Sequence, residues 1–170
     1  MSRPSSVRTP ESSRRILFVC SGNTCRSPMA EAIARAAAED IGLVKTEFRS
    51  AGTSAVPGLP ASPGALRAAR RNGLELEDHR STPLSPDLVE WADLILTMGP
   101  SHLIRALELG GEGKSLLLGE FASGDDPSIR DPSVPDPYGG DDQIYEATFH
   151  TLDHYVNDTL ERLVREREGS

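Results

Sequence analysis

Apolar and polar positions follow two rhythms along the 170-residue chain. Short apolar runs rich in β-branched and aromatic residues predict buried strands, and stretches with apolar residues at helical spacing predict helices between them. Residues 15–20, Arg-Ile-Leu-Phe-Val-Cys, read as a first strand. After a Ser-Gly-Asn-Thr turn, Ser27-Pro28-Met29-Ala30-Glu31 opens a helix to about residue 41. Ser27 is its expected cap, Pro28 its first helical position and Gly42 its stop. Residues 46–51 predict a second strand, ending in Ser50-Ala51-Gly52. A Pro/Gly-rich connection then leads to a helix over about 64–72, stopped by Gly73. A third strand is expected at 92–98, a helix around 102–109 and a fourth strand at 115–118. An Asp/Pro-rich loop covers 124–140. The last helix runs from about 141 to 167, with Ile144, Tyr145, Phe149, Leu152, Tyr155, Val156, Leu160, Leu163 and Val164 marking its buried face.

Strands alternating with helices predict one α/β domain over residues 15–167, with a parallel sheet covered on both faces. Such sheets bind ligands beyond the carboxyl ends of their strands, where the turn at residues 20–27 sits. Residues 1–14 are rich in Ser, Pro and Arg and have no apolar centre, so they read as a disordered extension rather than a secretory leader. No apolar run reaches membrane-spanning length.

Composition narrows the function. The formal net charge of −8 argues against nucleic acid and anionic membranes as partners. An acidic chain that binds phosphate needs a preorganised pocket, because its overall field repels anions. The two cysteines, Cys20 and Cys25, share one short loop, which fits a reducing cytoplasm better than a secreted disulfide scaffold. They also lack a second ligand pair for a zinc site. His150 and His154 lie four apart on the last helix without a third ligand, so they are expected to be solvated, and His79 and His102 have no evident partner.

The loop Cys20-Ser21-Gly22-Asn23-Thr24-Cys25-Arg26 carries the chemistry. A phosphate dianion needs convergent N–H donors, and a loop entering a helix N-terminus supplies them. Gly22 lets the backbone approach the anion, and Asn23 tolerates left-handed dihedrals while its amide ties the loop together. Arg26 presents a planar fork to two phosphate oxygens. The same field is expected to lower the Cys20 pKa, with Ser27 donating to the sulfur. For a general acid the Asp/Pro loop offers Asp126, Asp131 and Asp136, each followed by proline. Asp136 is favoured because it precedes an aromatic, two glycines and a helix; Pro137 locks its backbone and Tyr138 is placed to wall the pocket. Asp131 is the spare.

The string from Val19 to Glu31 resembles the active-site loop of the low-molecular-weight protein phosphatases. Ser50-Ala51-Gly52, Asp78-His79-Arg80 and Asp136-Pro137-Tyr138-Gly139 resemble further landmarks of that family. The resemblance runs from about residue 15 to 164. It implies a four-stranded parallel sheet, no metal and no cofactor. It assigns Cys20 as nucleophile forming a phosphocysteine, Arg26 as phosphate binder and Asp136 as general acid, with phosphorylated proteins as substrates. Within it, Thr24 resembles the protein-arginine phosphatase branch, whereas phosphotyrosine enzymes commonly carry an aliphatic residue there. A hydroxyl in place of an apolar wall favours a guanidinium over a phenol, so phosphoarginine is the expected substrate and phosphotyrosine the alternative. Arsenate reduction needs relay cysteines that are lacking, and a silent phosphate-binding adaptor sits poorly with Cys20, Arg26 and Asp136 together. Cys25 is a candidate to trap an oxidised Cys20 as a protective disulfide.

Overall fold

The first strand, β1 (Arg14–Cys20), explains the layers of the molecule by its alternation. Ile16, Phe18 and Cys20 point into one apolar cluster, and Leu17 and Val19 into another on the opposite face of the sheet. Both faces of a strand buried in this way need helices over them, hence its continuous apolar run. The computed structural model describes residues 14–43, 45–124, 126, 128 and 131–168. The expected N-terminal extension lies outside the described residues, except for Arg14, which pairs with Thr46 as the first rung of β1.

Along the chain β1 is followed by α1 (Arg26–Asp40), β2 (Thr46–Gly52), α2 (Pro63–Arg71), α3 (Pro86–Trp91) and β3 (Leu94–Thr97). Then come α4 (Pro100–Glu108), β4 (Ser115–Leu117), α5 (Leu118–Ser123) and α6 (Asp142–Glu168). Among the described residues, four parallel strands form one sheet in the order β2-β1-β3-β4. Helices α1, α2, α5 and α6 build the larger core against Ile16 and Phe18. Val89 of α3 and Ala106 of α4 cover Leu17, Val19 and Ile95. Burying each of the larger of these side chains, Val, Leu, Ile or Phe, contributes roughly 1.5–3 kcal/mol.

The expected elements are present, and two short helices, α3 and α5, join them. Several details differ. Helix α1 starts at Arg26, one residue before the expected cap, so Cys25 is its N-cap and makes no side-chain cap bond. Ser27 lies inside the helix and turns its hydroxyl to Cys20 instead, and Pro28 sits at the third helical position. In α6 the expected face is buried at Tyr145, Phe149, Leu152, Val156, Leu160 and Leu163 and half-buried at Tyr155 and Val164, but Ile144 is 49% exposed, in the exposed first turn.

Candidate active site

Because β1 occupies a central place in the sheet, the loop after it is flanked by the ends of both neighbouring strands. It is braced from both. Thr53 N donates to Cys20 O at 2.9 Å, Ser54 N to Ser21 O at 2.9 Å and Ser62 N to Thr24 O at 2.9 Å. His79 Nε2 lies 2.7 Å from Asn23 O. Four of the loop's carbonyls are thus taken by groups outside it. Among the described residues, none of the N–H groups of Gly22, Thr24 and Cys25 has an acceptor, which is the arrangement an anion would complete.

Asn23 is fully buried with φ of 56°, the one positive-φ residue other than glycine among those described. Its Nδ2 donates to Ser27 Oγ at 2.8 Å and Ser50 Oγ at 2.9 Å, and its Oδ1 accepts from Thr82 N at 2.8 Å. Ser50 passes the chain on to Glu31 Oε1 at 2.7 Å. The packing of the loop also requires a glycine at Gly52. A Cβ on Gly52 would meet Ser21 O at 2.3 Å, whereas one on Gly22 would touch only Thr24 Oγ1 at 3.6 Å.

Cys20 Sγ lies 2.9 Å from Ser27 Oγ, at the floor of a pocket of about 310 Å³. Ser21, Gly22, Thr24, Arg26, Asp136 and Tyr138 are among the residues that line it. Its thiol departs from expectation. Burial pushes the Cys20 pKa up, and this outweighs the lowering by the Ser27 hydroxyl and N–H, the Arg26 charge and the Asn23 N–H. The sequence shows the favourable donors but not the depth at which the sulfur is buried.

Arg26 is also buried. Its Nη1 donates to Val134 O at 2.9 Å and its Nη2 to Ser21 Oγ at 3.5 Å, while its Nε has no protein partner. Asp136 Oδ2 stands 3.7 Å from Nη2 with half of its side chain exposed. Its Oδ1 accepts from Tyr138 N at 3.1 Å, and Tyr138, 75% exposed, is among the residues lining the pocket. Asp126 and Asp131 are absent from the pocket. Their carboxylates accept from Ser128 N at 2.9 Å and Ser133 N at 3.0 Å, and these bonds hold their pKa values down. Both are turn residues.

Thr24 faces the pocket, with Oγ1 3.8 Å from Cys25 Sγ. Cys20 and Cys25 are free thiols. The Cys25 sulfur lies 3.2 Å from Ser62 Oγ and 3.4 Å from Tyr145 Oη. Burial and that sulfur push the Tyr145 hydroxyl up to about 12. His150 and His154 are exposed and paired with Glu146 and Asp158, as a solvated helix face requires. His79 and His102 do have partners. His102 Nε2 is 2.8 Å from Ser21 Oγ, and burial and the nearby Arg26 charge lower its pKa to about 4. The strand order could have revealed it: β3 lies beside β1, so the first turn of the next helix borders the loop. Among the described residues, no three of His, Cys, Asp and Glu converge to hold a metal ion.

A parallel α/β sheet that gathers a thiol, an arginine and N–H donors without acceptors beyond a central strand is an arrangement suited to an anion. The chain belongs to the low molecular weight phosphotyrosine protein phosphatase family, whose model matches residues 15–169. It is 38% identical to the protein-arginine-phosphatase of Bacillus subtilis, over 89% of this chain and 98% of that one. It is 33% identical to a probable low molecular weight protein-tyrosine-phosphatase, EpsP, of Ralstonia solanacearum, over 88% and 96% of the two chains. A solved structure of the YwlE arginine phosphatase, a cysteine-to-serine mutant with a phosphorylated active-site serine, superposes with a TM-score of 0.83. The two share 38% identity over 91% of this chain and 98% of that one.

Proposed function

We propose that the chain is a protein-arginine phosphatase acting through a phosphocysteine. Cys20 attacks as the thiolate, its proton having gone to solvent, and Ser27, Asn23 and Arg26 stabilise the charge against the cost of burial. The sulfur–phosphorus bond forms as the phosphorus–nitrogen bond of phosphoarginine breaks. Arg26 and the open N–H groups of the loop hold the phosphoryl oxygens, with no rearrangement of the donors at the moment of reaction. Asp136, as the carboxylic acid, protonates the departing guanidine nitrogen. In the second half, the Asp136 carboxylate takes a proton from water as that water attacks phosphorus. The sulfur–phosphorus bond breaks, leaving inorganic phosphate and the Cys20 thiolate.

The arginine reading is carried by Thr24. Thr24 lines the pocket, a hydroxyl there suits a guanidinium better than a phenol, and the Bacillus subtilis relative bears the same activity in its name. Phosphotyrosine is the second reading, favoured by the Ralstonia relative, while the exposed ring of Tyr138 suits either leaving group. Matched peptides carrying phosphoarginine or phosphotyrosine separate the two: a higher kcat/KM on phosphoarginine is expected, and the reverse order overturns the arginine assignment. Hydrolysis of p-nitrophenyl phosphate that vanishes in Cys20→Ser excludes a silent binding module.

Residues 15–167 are taken as the catalytic unit and phosphorylated proteins, not nucleic acid or membrane, as its partners. The two free thiols support a cytoplasmic setting. Among the described residues, no helix is long and apolar enough to cross a membrane.

A further inference from the structure

Ser21 Oγ has two hydrogen-bond partners among the described residues, His102 Nε2 at 2.8 Å and Arg26 Nη2 at 3.5 Å. Arg26 can only donate. The role of His102 follows from its other ring nitrogen: Nδ1 is buried without a partner. A proton on Nδ1 would bury an unpaired N–H, whereas a proton on Nε2 leaves only a bare lone pair there, the cheaper arrangement. The imidazole is buried, and burial and the Arg26 charge keep it neutral. His102 therefore donates from Nε2. Two donors then fill both lone pairs of Ser21 Oγ, and its own proton has no protein acceptor. Ser21 lines the pocket above Cys20.

From this geometry we infer that the Ser21 hydroxyl is an additional donor to a phosphoryl oxygen, and that His102 is the positioning residue that aims it. The loop would then read its anion with a side-chain donor beside the backbone N–H groups and Arg26. His102 reaches Ser21 from the first turn of α4, so the helix after β3 tunes a donor in the loop after β1. For rates, the inference rests on the phosphatase reading; for anion binding it stands apart from it.

Calorimetric binding of inorganic phosphate, with p-nitrophenyl phosphate turnover alongside, tests it in Ser21→Ala, Ser21→Thr, His102→Leu, His102→Gln and the Ser21→Ala/His102→Leu double variant. Loss of one hydrogen bond to a charged group should weaken phosphate binding about tenfold in Ser21→Ala and in His102→Leu. Ser21→Thr keeps the hydroxyl and His102→Gln keeps a donor near the Nε2 position, so both should bind nearly as wild type. The double variant should lose no more than either single one, because His102 acts through Ser21. Losses that simply add, phosphate affinity unchanged in Ser21→Ala, or no binding by the wild type would each overturn the inference. Wild type that binds phosphate without turnover would remove the phosphatase reading and leave this one standing.

Discussion

Two loops of opposite construction meet at the pocket. Residues 20–26 are held by hydrogen bonds from β2's end, from residues 54, 62, 79 and 82, and from α4, with Asn23 and Arg26 buried. Residues 131–140 rest mainly on their own local turns, at Asp131, Asp136 and Pro137. Val134 is their buried anchor, donating to Met98 O at 2.8 Å and accepting from Arg26. The difference matches two tasks. An anion cradle works best when its donors are already in place. A residue that gives and takes a proton in every cycle needs water within reach, and half of the Asp136 side chain has it.

The sharpest test of this division is Cys20→Ser. Turnover should fall below detection while calorimetry finds phosphate binding preserved, because the cradle is made by the other residues. If binding disappears as well, the loop is not a mould independent of its thiol. Asp136→Asn should lower kcat by about 10²–10⁴-fold on poor leaving groups. Activated aryl phosphates should lose much less, and the melting temperature should stay near wild type. Equal losses on all leaving groups would deny Asp136 its role.

Acid should weaken the first loop through His102. Its ordinary pKa is 6.5 and its folded value about 4. Between these values the unfolded chain binds the extra proton, so the contribution is present above pH 6.5 and is lost as pH falls through about 4. At ~1.4 kcal/mol for each pH unit between the two, the ceiling is about 3 kcal/mol. Denaturant titrations of wild type and His102→Gln should converge as pH falls across this window. Parallel curves would show that His102 is not held neutral.

Smaller still is the effect expected of Thr24→Ile. The ratio of kcat/KM for phosphoarginine to that for phosphotyrosine should move by about tenfold, or ~1.4 kcal/mol, toward tyrosine. A constant ratio with both activities intact would leave Thr24 without a selecting role. Last, reductant should restore peroxide-treated wild type more fully than Cys25→Ser, if Cys25 captures the oxidised Cys20. Equal recovery would leave Cys25 as packing against Ser62 and Tyr145.

The rigid loop was the more legible of the two in the sequence. Its special residues, Asn23 at positive φ and Ser27 against the sulfur, follow from local stereochemistry and donor chemistry, and both stand where expected. What escaped was set by the tertiary neighbours. Gly52 is needed because Ser21 O packs against it, 31 residues away in the chain, and nothing local marks that approach. His102 looked bland because its partner lies 81 residues off. The expected low thiol pKa failed for the same reason: donors lie near Cys20 in sequence, but its burial comes from the whole fold. In the second loop three Asp-Pro pairs share a local form, and only Asp136 is followed by an aromatic and two glycines, the signal that favoured it. What the sequence could not show is the anchor at Val134, which takes a hydrogen bond from Arg26, and the 3.7 Å approach of Arg26 to Asp136.

The span of these contacts also bears on when the site comes into being. Every strand pairing is parallel, so each needs a crossover before it can form. The loop itself is seven residues long, yet Arg26 is fixed by a carbonyl 108 residues further on and Cys25 meets a tyrosine hydroxyl 120 residues on. Such distant closures come late, since their loop entropy must be overcome before the contacts reward it. A growing or half-folded chain therefore holds the two thiols but no cradle. Recovery of turnover after dilution from denaturant would mark the last step of folding, not the first.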